Sequence, residues 1–165
     1  MIGISAINIR PMQIDDVEQV CLIDRQSFTL PWPDNAYYHE LKENPAAKLW
    51  VAENVQLSDK RMIVGVIVIW LVLDEAHIAT LAVHPDYRRE GIGKRLLMVA
   101  LQEAIQYGAG QALLEVRAKN QAAQALYRLF GFEVVGYRPR YYKDNHEDAL
   151  LMTLGGLREA VLKNR

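Results

Sequence analysis

Residues 81–94 read LAVHPDYRREGIGK, a set of residue types in an order that can hold an anion. An apolar run (Leu81, Ala82, Val83) stops at the turn pair His84-Pro85, and a basic glycine loop follows, Arg88-Arg89-Glu90-Gly91-Ile92-Gly93, before Lys94 and an amphipathic stretch. Glycine lets a backbone approach a ligand closely, successive amides point outward, and a helix N-terminus favours negative charge. Such a loop suits a phosphate or pyrophosphate. The spacing is not the dinucleotide fingerprint, because Lys94-Arg95-Leu96 follows the second glycine, and it is not a P-loop, because no Gly-Lys-Ser/Thr is present.

A second chemical group is Glu115, in Leu114-Glu115-Val116-Arg117. Strand alternation puts Leu114 and Val116 on one face and Leu113, Glu115 and Arg117 on the other. Burying a carboxylate is costly. It therefore needs either a cationic partner, Arg117 or another base, or a task. The task that fits is general base catalysis, directly or through water. Asn120 closes that strand and is placed to cap the next helix. Tyr127 lies on that helix among apolar residues, where a tyrosine is usually core with its hydroxyl satisfied. His39, His77, His84 and His146 show no metal spacing, and no metal is expected. His84, before a proline, reads as a turn residue. Cys21, the single cysteine, falls on an apolar helix face and reads as core rather than as an acyl carrier; it allows no intrachain disulfide.

The elements that position these groups alternate along the chain. Ala6 to Arg10 reads as a strand closed by Pro11. A helical pattern opens at Asp15 or Asp16 and carries Val17, Val20, Cys21, Asp24 and Phe28. Leu30-Pro31-Trp32-Pro33 excludes helix, and Asp34 is expected to cap a short helix running to about Asn44, ended by Pro45. Strands are expected over Leu49–Glu53, Met62–Leu73 and Ala76–Val83, with a polar loop at Val55–Lys60. The main helix spans Gly93 to Tyr107, with Leu97, Ala100, Leu101 and Ala104 on one face and Gly108 at its end. A strand at Leu113–Arg117, a helix at Ala122–Leu129 and strands at Val134–Arg138 and Ala149–Leu154 follow. Leu157 to Lys163 is a weak terminal helix or tail. The class is α/β around one central sheet.

At 165 residues the chain suits a single domain over 1–165, with its core at about 5–155. Apolar residues make up 51% and charged residues 24%, the balance of a soluble globular protein. A net charge of −1 gives no drive toward nucleic acid or anionic membrane. The longest apolar run, Ile63 to Leu73, is short of the roughly 20 residues of a membrane span, and no signal peptide is read. A cytoplasmic location is expected.

The pattern R-x-x-G-x-G, from Arg88 to Gly93, resembles the acetyl-CoA signature of the GNAT N-acetyltransferases, and the element order is similar to theirs. Resemblance implies a mixed sheet of about seven strands flanked by about four helices, with acetyl-CoA as cosubstrate. It assigns the backbone of Leu81, Ala82 and Val83 to the pantetheine arm and Arg88, Arg89, Glu90, Gly91, Ile92, Gly93 and Lys94 to the pyrophosphate. It has Asn120 touch pantetheine. Glu90 stands where glutamine is common in the family, so its side chain is expected to point outward. The segments LEVRAKN, ALYRLFGF, RPRYYKDNHEDALLM and FTLPWP resemble the N-terminal protein acetyltransferases of that family, above all the bacterial type acting on the N-terminal alanine of a ribosomal protein. Carried over, Glu115 is the base and Tyr127 the acid that protonates the departing thiolate. Trp32, Tyr141 and Tyr142 would bind a protein N-terminus in a groove between two aromatic loops. A small-molecule amine substrate is an alternative, though it would call for an acidic pocket; a catalytically silent acyl-CoA-binding module is another.

Overall fold

The computed structural model describes residues 6–56 and 61–165; from 57 on, the expected Val55–Lys60 loop lies outside the described residues. Among them are seven strands and five α-helices: β1 Ile7–Pro11, α1 Val17–Ser27, α2 Ala36–Lys42, β2 Ala47–Asn54, β3 Met62–Val72, β4 Glu75–Val83, α3 Ile92–Gln106, β5 Gln111–Arg117, α4 Gln121–Leu129, β6 Glu133–Arg138, β7 Ala149–Leu154 and α5 Leu157–Lys163. The sheet order is β1-β2-β3-β4-β5-β7-β6. β4 and β5 are parallel, and α3 makes the crossover that a parallel pair needs. β5, β7 and β6 are antiparallel neighbours. The sheet is thus mixed.

The chain divides into two compact units, one up to Trp70 together with Ala79–Ala100, the other Leu71–Ile78 together with Leu101–Arg165. In the first, the apolar stripe of α1 (Val17, Val20, Ile23) packs with Leu49 and Val51 of β2 and with Ile63, Val66 and Val68 of β3. β3 is buried on both faces through most of its length, which accounts for its apolar, largely β-branched sequence. Gly65 makes room there: a Cβ would stand 2.9 Å from the Leu96 side chain and 3.3 Å from that of Ile92, so both would have to shift. It lets α3 lie tight on the strand.

In the second unit, Ala112, Leu114 and Val116 form the buried face of β5 while Leu113, Glu115 and Arg117 are half-buried on the other, the expected alternation. The terminal helix, expected to be weak, is anchored: Leu157 and Val161, one turn apart, are both buried. It brings the number of helices to five. Two boundaries differ from expectation. Residues 34–35 form a turn and α2 starts at Ala36 after Asn35, so Asp34 does not cap it. α3 starts at Ile92, so Gly93 lies within its first turn.

Candidate active site

In the first unit the anion loop is built as its residue types require. β4 ends at Val83, and His84 starts a 3-10 turn over Pro85–Tyr87, its Nδ1 accepting the Asp86 N–H at 3.1 Å. His84 is therefore a turn residue. Arg89 (φ +63°) and Gly91 (φ +80°) both take left-handed backbone, so the chain reverses sharply before α3. The Arg95 N–H to Gly91 carbonyl bond, 3.1 Å, closes the first turn. The amides of 92–94 precede that bond and have no intrahelical acceptor, which is the arrangement that draws an anion. Glu90 is half-buried and Lys94 exposed.

Arg88 has a structural task as well. Its Nε donates to the Val83 carbonyl at 2.9 Å and one Nη to Ser27 Oγ at 3.1 Å, tying the loop to the end of α1. The parallel ladder of the second unit runs over Glu75–Gln111, Ala76–Ala112 and His77–Leu113.

In the second unit a cluster forms around Glu115. Arg138 Nε of β6 lies 3.4 Å from its Oε1, and the same carboxylate pushes the pKa of the Tyr141 hydroxyl up. Arg117 is not the partner. It reaches the loop after β6, pairing with Asp144 at 3.0 Å and Glu147 at 3.2 Å, and its guanidinium lies 3.9 Å over the Tyr142 ring. The loop is thus pinned, with Tyr141 and Tyr142 edge to face at 5.2 Å. Burial pushes the Tyr142 hydroxyl up to about 12, against the pull of Arg117.

Tyr127 has its ring buried 5.6 Å from Phe132. Burial, then the neighbouring Tyr142, holds its hydroxyl well above the ordinary tyrosine range. It is a protonated donor at neutral pH. Among the described residues no buried side-chain oxygen is left unpaired, and no protein group bonds this hydroxyl, so the oxygen reaches the surface. Asn120 caps α4, its side chain accepting the Ala123 N–H at 3.2 Å.

Trp32, in the first unit, is half-buried between exposed Pro31 and Pro33. Its ring lies 4.9 Å from Tyr37 and is stacked 6.5 Å from Trp70. Cys21 packs against the same core, and burial pushes its thiol up, the opposite of an activated nucleophile.

The sequence profile of the Acetyltransferase (GNAT) family matches residues 17–132. The chain belongs to the GNAT family. It is an N-acetyltransferase. It is 40% identical over 144 residues, 87% of its own length and 92% of the other, to a Bacillus subtilis (strain 168) protein provisionally named [ribosomal protein bS18]-alanine N-acetyltransferase. An Escherichia coli (strain K12) protein of that name is 32% identical over 88% of this chain and 95% of its own. The crystal structure of the Escherichia coli ribosomal-protein-S18-alanine N-acetyltransferase superposes with a TM-score of 0.79 at 30% identity, covering 91% of this chain and 94% of that one. The GNAT fold expected from the sequence is therefore the fold observed.

Two residues, one in each unit, are not legible from motif spacing alone. Arg138 meets Glu115 because β7 comes between β5 and β6 in the sheet and returns the loop that joins β6 to β7 over β5. Asp24 carries a signal of its own: a carboxylate in the core stripe of α1.

Proposed function

We propose that this GNAT enzyme transfers the acetyl group of acetyl-CoA to the α-amine of a protein N-terminus, the N-terminal alanine of a ribosomal protein, in the cytoplasm. Glu115, a half-buried carboxylate paired with Arg138, carries the chemistry. The names of the relatives support the substrate. Acetyl-CoA, when bound, supplies the thioester carbon. The open amides of 92–94 and the left-handed turn at Gly91 suit its pyrophosphate, and the family resemblance assigns Leu81, Ala82, Val83 and Asn120 to pantetheine. Arg88, Arg89, Glu90 and Lys94 flank that position. Glu115 takes a proton from the amine, directly or through water, and leaves nitrogen with a free electron pair. Tyr127 gives a proton to the sulfur as it departs. Trp32, Tyr141 and Tyr142 hold the peptide.

A free α-amine suits one carboxylate. Its pKa of about 7.7–8.0 against about 10.4 for lysine makes its deprotonation at neutral pH easier by roughly 3.5 kcal/mol. No nucleophilic side chain is needed. Steady-state rates with an alanine-starting peptide, its N-terminally blocked twin and spermidine test the assignment. The free peptide alone should turn over; turnover of spermidine with the peptide inert would replace the protein substrate by a small amine.

Gly93→Val probes the anion loop. Inside a helix the change gains only a few tenths of a kcal/mol of propensity, and thermal melting checks that the variant is folded. Its acetyl-CoA affinity should drop about tenfold or more, a loss of about 1.4 kcal/mol, by calorimetry. Unchanged affinity would remove the pyrophosphate from this loop. Tyr142→Ala should lower peptide turnover and leave acetyl-CoA binding intact. Tyr141→Phe keeps the ring but removes the hydroxyl assigned to the peptide, so peptide KM should rise with acetyl-CoA affinity unchanged. An unchanged peptide KM would remove Tyr141 from the peptide site.

A further inference from the structure

We infer that Asp24 is a positioning residue that fixes the Trp32 loop for peptide capture, an inference that rests on the reading of Trp32 as a peptide-contact residue. Asp24 sits on α1 among Val17, Val20 and Ile23 and is 1% exposed. One oxygen accepts the Trp32 backbone N–H at 2.7 Å, and the other accepts the Tyr37 hydroxyl at 2.7 Å. Among the described residues no cation forms a salt bridge with it.

The covalent chemistry of the loop explains why this bond matters. Proline has no N–H. In Pro31-Trp32-Pro33, Trp32 therefore owns the one backbone donor, and Asp24 takes it. The partner of the second oxygen, Tyr37, is also the ring against which Trp32 rests at 4.9 Å. Trp70 stacks on the indole, and its own Nε1 donates to Glu40 at 3.0 Å. One carboxylate thus sets both the backbone of Trp32 and the ring it rests on. The arrangement costs folding free energy: burial holds the Asp24 carboxyl above the usual carboxylate range, with the Tyr37 and Trp32 bonds offsetting it in part. An apolar side chain in the α1 stripe would serve the core without that cost, so the carboxylate serves the loop.

The test compares Asp24→Ala, Asp24→Leu and Asp24→Asn with Trp32→Ala. Amide hydrogen exchange at Trp32 is read on the protein alone, and KM for an alanine-starting peptide and for acetyl-CoA is read in turnover. Losing a hydrogen bond to a charged acceptor should speed Trp32 exchange and raise peptide KM by about tenfold or more in Asp24→Ala, with acetyl-CoA KM unchanged. Asp24→Leu fills the stripe with an apolar group and should show the same two losses; combined with Tyr37→Phe it leaves no buried hydroxyl without an acceptor. It carries the test if the alanine variant does not fold. Asp24→Asn keeps an acceptor for Trp32 and should recover most of both. Wild-type exchange and peptide KM in folded Asp24→Leu would overturn the positioning role. Should Trp32→Ala itself leave peptide KM unchanged, the fault would lie in the assignment of Trp32 to the peptide; Trp32 exchange would still report on the tether.

Discussion

Replacing Glu115 with glutamine is expected to lower kcat/KM for an N-terminal peptide by about two to four orders of magnitude at neutral pH. Glutamine keeps the length of the side chain and an oxygen for Arg138, which sits at 3.4 Å, so the cluster should stay folded. What disappears is the proton acceptor. The deficit should shrink as pH rises through the range of the α-amine, near 7.7–8.0, because solvent then supplies the free amine. A pH–rate profile of both enzymes shows this directly. Near wild-type turnover at neutral pH would reduce Glu115 to an anchor for Arg138 and Tyr141.

Tyr127→Phe is expected to slow the acetyl-transfer step by about a hundredfold or more while acetyl-CoA affinity and melting temperature hold. The ring is buried against Phe132, so phenylalanine preserves the packing. The hydroxyl has no protein partner among the described residues, so its removal leaves no orphaned group in the core. In the proposed role its proton matters only as the carbon–sulfur bond breaks. Single-turnover kinetics separate that step from binding, and an effect confined to KM would assign the thiolate's proton to another donor.

Much of this was legible in the chain itself, and the reasons are local. Alternation in β5 put Glu115 opposite a buried face because Leu114 and Val116 leave no other choice. Pro31 and Pro33 excluded helix by covalent chemistry, and glycine marked both the left-handed turn at Gly91 and the end of α3 at Gly108. The misplaced boundaries, Asp34 for Asn35 and Gly93 for Ile92, concern a turn and a half-turn, where several residues satisfy the same amides. Partnerships across the sheet were harder. Arg117 and Glu115 share a face of one strand, so pairing them is the local guess. The real partner, Arg138, depends on a strand order in which β7 separates β5 from β6, and no short-range pattern encodes that. Asp24 could be seen as a polar residue in an apolar stripe, but its two acceptor bonds needed the fold of the loop and α2.

The most direct test of N-terminal specificity is the position of the acetyl group on a single peptide. A peptide with a free N-terminal alanine and an internal lysine, treated with enzyme and acetyl-CoA, is fragmented by tandem mass spectrometry. Acetyl should be found on the alanine nitrogen, with the lysine unmodified. Acetyl on the lysine side chain alone would contradict N-terminal acetylation and leave the GNAT fold standing with a different substrate.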